Sequence, residues 1–192
     1  MSQRRSLAPI NPIGATAVCF NDILPKPFTA DLLVDAGILI AHFDQNDAWH
    51  DAVEDFFHKY VYGATHAPRF YITYDIINEC LHRLVQNYEE RTGLVASPKV
   101  RLSYAKPIIE LIASDAIELV TLNDKEVMMA IDRWANSKYG AKDAFHVSCQ
   151  LDWGLDLITV DHTLMEELEN DPDFAGRKVY FPDLSMRKTY LC

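Results

Sequence analysis

The stretch Ala141–Leu164, AKDAFHVSCQLDWGLDLITVDHTL, constrains the fold more than any other part of the chain. Ala144, Val147, Ser148 and Leu151 fall at helical spacing, and Phe145 and Cys149 add a second apolar stripe. This part reads as a buried helix. Gly154 is placed to end it in a left-handed cap. Leu155–Val160 then reads as a strand. About eleven helical residues rise roughly 16 Å, and about five strand residues return a similar distance. Asp143, opening the helix, and Asp161, closing the strand, are therefore expected at the same end of one domain.

The rest of the chain alternates in the same way. Asp31–Val34 reads as a strand ending at Asp35, with an apolar helix from Ala36 to Phe43 behind it. Its continuous apolar character suits a strand covered on both faces. Asp47 is a plausible N-cap for a helix carrying Trp49, Val53, Phe56, Phe57 and Tyr60. Phe70–Ile72 is a second short strand, and Thr73 can cap a long helix in which Glu79 lies at or beyond the margin of the apolar stripe. Ser97-Pro98 starts another helix, with a kink expected at Pro107. Ile117–Val120 is a strand, followed by a helix with Asn123 and Glu126 in capping-box spacing and Val127, Ala130, Ile131 and Trp134 as its expected buried face. Lys178–Phe181 reads as a last strand. Strands alternating with helices indicate a single α/β domain with a mostly parallel central sheet flanked by helices. We expect an N-terminal arm over 1–30, punctuated by Pro9, Pro12, Pro25 and Pro27, the domain over 31–183, and a tail over 184–192.

A chain of 192 residues supports one sizeable core and leaves little room for a second domain. The balance of 18 basic against 28 acidic residues, a net charge of −10, excludes a grip on nucleic acid by diffuse electrostatics alone. Such a partner would need metal ions or a local basic patch. The cysteines at 19, 80, 149 and 192 show no C-x-x-C spacing, so we expect free thiols, buried at Cys80 and Cys149, and no structural zinc. No apolar run is long enough to cross a membrane; Leu32–Phe43 is short and interrupted by Asp35. With no signal-peptide pattern, the expected location is the cytoplasm.

Two strands thus end in aspartate, at Asp35 and Asp161; Asp143 opens the helix returning to the second, and Glu79 lies in the second turn after another strand. In parallel α/β sheets such positions converge beyond the carboxyl ends of the strands. Clustered carboxylates raise one another's pKa unless a cation neutralises them, and hard oxygen ligands suit Mg²⁺ or Mn²⁺.

These pieces resemble a PIN domain, and within that superfamily the VapC-like toxin ribonucleases. The likeness is carried by Val34-Asp35 with Ile38–Phe43 behind it, by Thr73–Glu79, by the Asp143–Val147 helix start, and by Leu157–Asp161 with Leu164 following. The resemblance implies a Rossmann-like sheet and Mg²⁺- or Mn²⁺-dependent endonucleolytic hydrolysis of RNA phosphodiester bonds, leaving 5′-phosphate and 3′-hydroxyl ends. It implies that Asp35, Glu79, Asp143 and Asp161 are the catalytic metal ligands, with Thr159 hydrogen-bonding behind them. It further implies a toxin of a toxin–antitoxin pair, an antitoxin protein covering the site, and a homodimer. Two features depart from the family pattern. Ala36-Gly37 stands where members commonly carry hydroxyl or amide side chains, and the segment between Glu79 and Asp143 includes the extra helix Pro98–Ser114.

The competing reading is a PIN-like binding or regulatory module with weak or no nuclease activity, favoured by Ala36-Gly37 and the negative charge. A nuclease for structured DNA ranks lower, because no basic arch or helix–hairpin–helix is evident. No P-loop, dinucleotide fingerprint or nucleophile elbow is present. His146 is weighed as a mixed-site ligand against simple packing, and Trp49, Phe56, Phe57 and Tyr60 as base-stacking groups against core. Arg4, Arg5, Lys99 and Arg101 are weighed as phosphate contacts against solvated charges. The run Glu166–Asp173 reads as a solvated helix end or a docking surface for a basic partner. His42 and His50 are expected at the surface.

Overall fold

The computed structural model describes residues 13–20, 28, 30–62 and 68–183. Most of the expected arm and the tail from 184, with Arg4, Arg5 and Cys192, lie outside the described residues. Six strands form one all-parallel sheet among the described residues: β1 (Thr16–Cys19), β2 (Leu32–Val34), β3 (Phe70–Thr73), β4 (Glu118–Val120), β5 (Asp156–Ile158) and β6 (Lys178–Phe181), in the spatial order β1-β6-β5-β2-β3-β4. Between them run α1 (Ala36–Phe43), α2 (His50–Phe56), α3 (Tyr74–Thr92), α4 (Pro98–Ala113), α5 (Asp124–Asn136), α6 (Ala141–Trp153) and α7 (His162–Glu169). The central strands β2 and β5 are buried at every position; β2 is wholly apolar, and β5 opens with the buried Asp156, which accepts from the Lys178 amide at 2.9 Å. Leu33 pairs with Leu157, and Val34 with Ile158, so both strands end together beneath Asp35 and Asp161.

The helix starts follow local side-chain chemistry. Asp35 Oδ1 accepts from the Ala36 amide at 2.7 Å, Thr73 from Ile76 and Ser97 from Val100. Asn123 and Glu126 form the full capping box. Gly154 ends α6 at φ 69°, which only glycine adopts cheaply.

Several expectations change in detail. Within the expected arm, Thr16–Cys19 docks as an edge strand on β6. Gly14 allows that entry, since a Cβ there would stand 2.2 Å from the Leu168 carbonyl oxygen. The Trp49–Tyr60 helix divides into α2 and a π-helical turn over Phe57–Val61, closed by Tyr62 N–H donating to the Phe57 carbonyl at 3.0 Å. Pro107 sits inside an unbroken α4. The face assigned to α5 is rotated: Ala130 and Glu126 are buried, whereas Ile131 and Trp134 are half-exposed. Helix α5 packs along α6, and the capping carboxylate of Glu126 also receives Trp153 Nε1 at 3.0 Å. His42 is partly buried rather than at the surface, its side chain 8% exposed and stacked 3.9 Å from the Phe57 ring.

The core residues on both sides of the sheet form one continuous hydrophobic cluster. Phe56 and Phe57 belong to it, which assigns them to packing. Cys80 and Cys149 are free and buried, and desolvation pushes both thiols up to about 12. In the Glu166–Asp173 run, Asp171 and Asp173 pair internally with Arg133, and Asp171 also accepts from the Tyr139 hydroxyl at 2.8 Å. No described helix is long and apolar enough to cross a membrane.

Candidate active site

The carboxyl ends of β2 and β5 and the starts of α1, α6 and α7 meet at one rim of the sheet. There Asp35, Glu79, Asp143 and Asp161 line a single cleft of about 460 Å³, together with Gly37, Trp49, Arg83 and His162. Each carboxylate arrives on a different element. Asp35 caps α1, and Glu79 projects from the second turn of α3. Asp143 lies in the first turn of α6, and Asp161 caps α7 by accepting from the Thr163 and Leu164 amides at 2.8 and 3.1 Å.

Thr159 joins two of them. Its hydroxyl donates to Asp35 Oδ2 at 2.6 Å and accepts from the Asp161 amide at 2.9 Å, and the residue is fully buried. Asp35 Oδ1, which accepts from the Ala36 amide, lies 3.8 Å from His146 Nδ1, too long for a hydrogen bond. His146 is buried, and neither ring nitrogen has a hydrogen-bond partner among the described residues.

Burial holds the Asp35 carboxyl above its ordinary range; His146, Thr159 and the Ala36 amide oppose this, and Glu79 adds to it. Burial likewise raises Asp143, with the charges of Asp35 and Asp161 pushing the same way. The site is thus short of positive charge. Among the described residues, Glu79 is the one of the four carboxylates paired with a lysine or arginine, Lys142 Nζ at 2.9 Å.

Among the described residues, no three acidic, cysteine or histidine side chains are drawn together into a closed metal cage. Oxygen donors facing an open cleft fit Mg²⁺ or Mn²⁺ in another way. Such ions are commonly held by one or two carboxylates, several waters and substrate phosphates.

The absence of a hydroxyl at Gly37 has a steric cause. A Cβ there would lie 2.7 Å from Val160 Cγ2 and 3.5 Å from Asp35 Oδ2. Two cations of the region escaped the sequence reading. Arg83 stands four residues after Glu79 on the same face of α3, and Lys142 directly precedes Asp143; these spacings were the available signals. Lys99 and Arg101, exposed at the start of α4, do not line the cleft. Trp49 is core, with one edge lining the cleft.

No family model matches the sequence, and no curated protein matches it. The fold is similar to that of VapC20 of Mycobacterium tuberculosis, a toxin that cleaves the sarcin–ricin loop. The TM-score is 0.51 at 13% identity, over 71% of this chain and 95% of that one. It is also similar to PAE2754 from Pyrobaculum aerophilum, at TM-score 0.47 and 16% identity, over 82% and 88% of the two chains. The chain has a VapC-like fold.

Proposed function

We propose that this protein is a divalent-metal-dependent endoribonuclease that hydrolyses RNA phosphodiester bonds in the cleft of Asp35, Glu79, Asp143 and Asp161. The observation that carries the reading is the convergence of four carboxylates from separate elements into one cleft, two of them raised in pKa by burial and, among the described residues, paired with no lysine or arginine. The VapC-like fold supports it. Bound Mg²⁺ or Mn²⁺ would supply Lewis acidity and lower the pKa of a nucleophilic water. The four carboxylates would hold the ion. Thr159 keeps the Asp35 carboxylate turned and the Asp161 backbone in place. Arg83 brings a positive charge to the lining of the cleft.

Within this reading the protein acts in the cytoplasm as the toxin of a toxin–antitoxin pair. Its partners are an RNA substrate, an antitoxin protein covering the cleft, and a second copy of the chain. Met128, Ile131 and Trp134, exposed along one side of α5, offer apolar surface for protein contacts.

The second reading, a PIN-like binding or regulatory module with weak or no nuclease activity, is favoured by Lys142 neutralising Glu79. Calorimetric titration with Mn²⁺, followed by incubation with total RNA plus metal, separates the two. Asn caps helices about as well as Asp, so Asp35→Asn and Asp161→Asn remove charge while keeping the caps. Binding lost in both variants, with cleavage by the wild type alone, is the expected result. Binding without cleavage of any RNA would favour the module, and no Mn²⁺ binding would sink the nuclease reading.

A further inference from the structure

We propose that Lys142 and the cavity it borders form the subsite for the RNA nucleotide next to the scissile phosphate, with the Lys142 ammonium passing from Glu79 to an RNA phosphate on binding. The inference rests on the nuclease reading and concerns how this chain holds its substrate.

Glu79 is a wall shared by two cavities. One is the carboxylate cleft; the other, about 330 Å³, lies between α3 and the start of α6 and is lined by Asp75, Asn78, His82, Lys142 and Phe145. Its volume falls in the class of small-ligand sites. Its chemistry suits a single unstacked nucleotide. Phe145 supplies an aromatic face for a base, Asn78 and Asp75 supply groups for base edges, and His82 and Lys142 supply nitrogen donors for phosphate. RNA entering the carboxylate cleft would continue past Glu79 into this space. Cations flank Glu79 on both sides, Arg83 in the cleft and Lys142 in the cavity, although the chain carries a net charge of −10.

The Lys142–Glu79 pair is built to be exchanged. The lysine side chain is 67% exposed and the glutamate 25%, and solvent-screened pairs of this kind hold weakly. A divalent ion taking Glu79 as ligand would repel an ammonium now 2.9 Å from that carboxylate. A phosphate in the adjoining cavity is the alternative anion. Lys142 thereby occupies Glu79 in the resting state and becomes a positioning residue for RNA when a phosphate enters the cavity, an exchange that a divalent ion on Glu79 would favour but that RNA alone can drive.

The test uses the full chain and two ligands measured separately. Mn²⁺ alone is titrated by calorimetry. A fluorescent single-stranded RNA ten-mer of mixed sequence is titrated by anisotropy in EDTA over a range of salt. Lys142→Met is expected to tighten Mn²⁺ about threefold, because a competitor for Glu79 is gone. The same variant is expected to weaken RNA about fivefold and to lower the slope of log Kd against log salt by about 0.7, the loss of one phosphate contact to a single strand. Lys142→Arg should restore RNA affinity. A merely structural lysine would not move the two affinities in opposite directions. Unchanged RNA affinity and salt slope in Lys142→Met, or weakened Mn²⁺ binding, overturns the inference while wild-type Mn²⁺ binding keeps the nuclease reading intact. A wild type that binds no Mn²⁺ overturns both.

Discussion

Helix α1 carries an aspartate at each end, and the two live in opposite electrostatic worlds. Asp44, at the C-terminal end, is buried but fully partnered. It accepts from Arg91 Nη1 at 2.6 Å, Asn87 Nδ2 at 3.0 Å and the Asn46 amide at 3.1 Å. Burial opposes its ionisation, yet these donors hold its carboxyl below the usual range. Asp35, at the N-terminal end, has a threonine hydroxyl, one amide and an imidazole 3.8 Å away, and burial lifts its carboxyl above the usual range. A buried carboxylate with its cation in place belongs to the scaffold. One that faces a cleft among other carboxylates, with no cation of its own, leaves room for a ligand to supply the charge.

The largest effect that would break this contrast lies at the starved end. Asp35→Asn is expected to lower Mn²⁺ affinity and RNA cleavage at least about 100-fold. It should leave thermal stability unchanged or slightly higher, because the variant no longer buries an unpaired charge. A large fall in melting temperature with metal binding intact would reverse the two roles.

At the satisfied end, Arg91→Met should cost about 2 kcal/mol of stability, discounted for the partial exposure of Arg91, and should leave Mn²⁺ affinity unmoved. The pH dependence sharpens the contrast. Asp44 has a depressed folded-state pKa, so its contribution is present above the unfolded value of about 3.9 and fades as pH falls through the lower folded value. Asp35 and Asp143 have raised folded values, so ionising them costs stability as pH climbs from the unfolded value through the folded one. Melting curves of wild type and Asp44→Asn should therefore converge below about pH 4. Those of wild type and Asp35→Asn should differ most above the raised value.

Thr159→Val tests the link between Asp35 and Asp161. The expected loss is about tenfold in Mn²⁺ affinity, the range found when a group orienting a metal ligand is removed, read by the same titration. The smallest effect is expected at Gly37→Ser. A serine restores the hydroxyl at that position but drives its Cβ against Val160, costing about 1 kcal/mol. Val160→Ala in the same chain should relieve that cost, and an unchanged melting temperature in the single variant would remove the steric account of Gly37.

Much of the architecture was legible because the relevant signals are local. The strand–helix alternation, the Asn123–Glu126 capping box, the stop at Gly154 and the strand-ending aspartates depend on residues within a few positions of one another. What misled is also physical. An apolar stripe says that a helix has a face to cover, and α5 covers Ala130 and Glu126 while leaving Ile131 and Trp134 half-exposed. Which side meets a neighbour depends on how closely α6 can approach. Likewise, Gly37 reads as a missing hydroxyl until Val160 is found against it.

By itself the sequence determined an α/β chain and the order of its elements. It also determined the four carboxylates that the right-handed, parallel build of such sheets carries to one rim. Only the tertiary structure decided that Thr16–Cys19 extends the sheet, that Thr159 ties Asp35 to Asp161, and that Lys142 rests on Glu79. Those contacts join residues far apart in the chain. Periodicity fixes where a side chain stands on its own element, whereas the hydrogen bond or charge it meets across the fold is set by the packing of another.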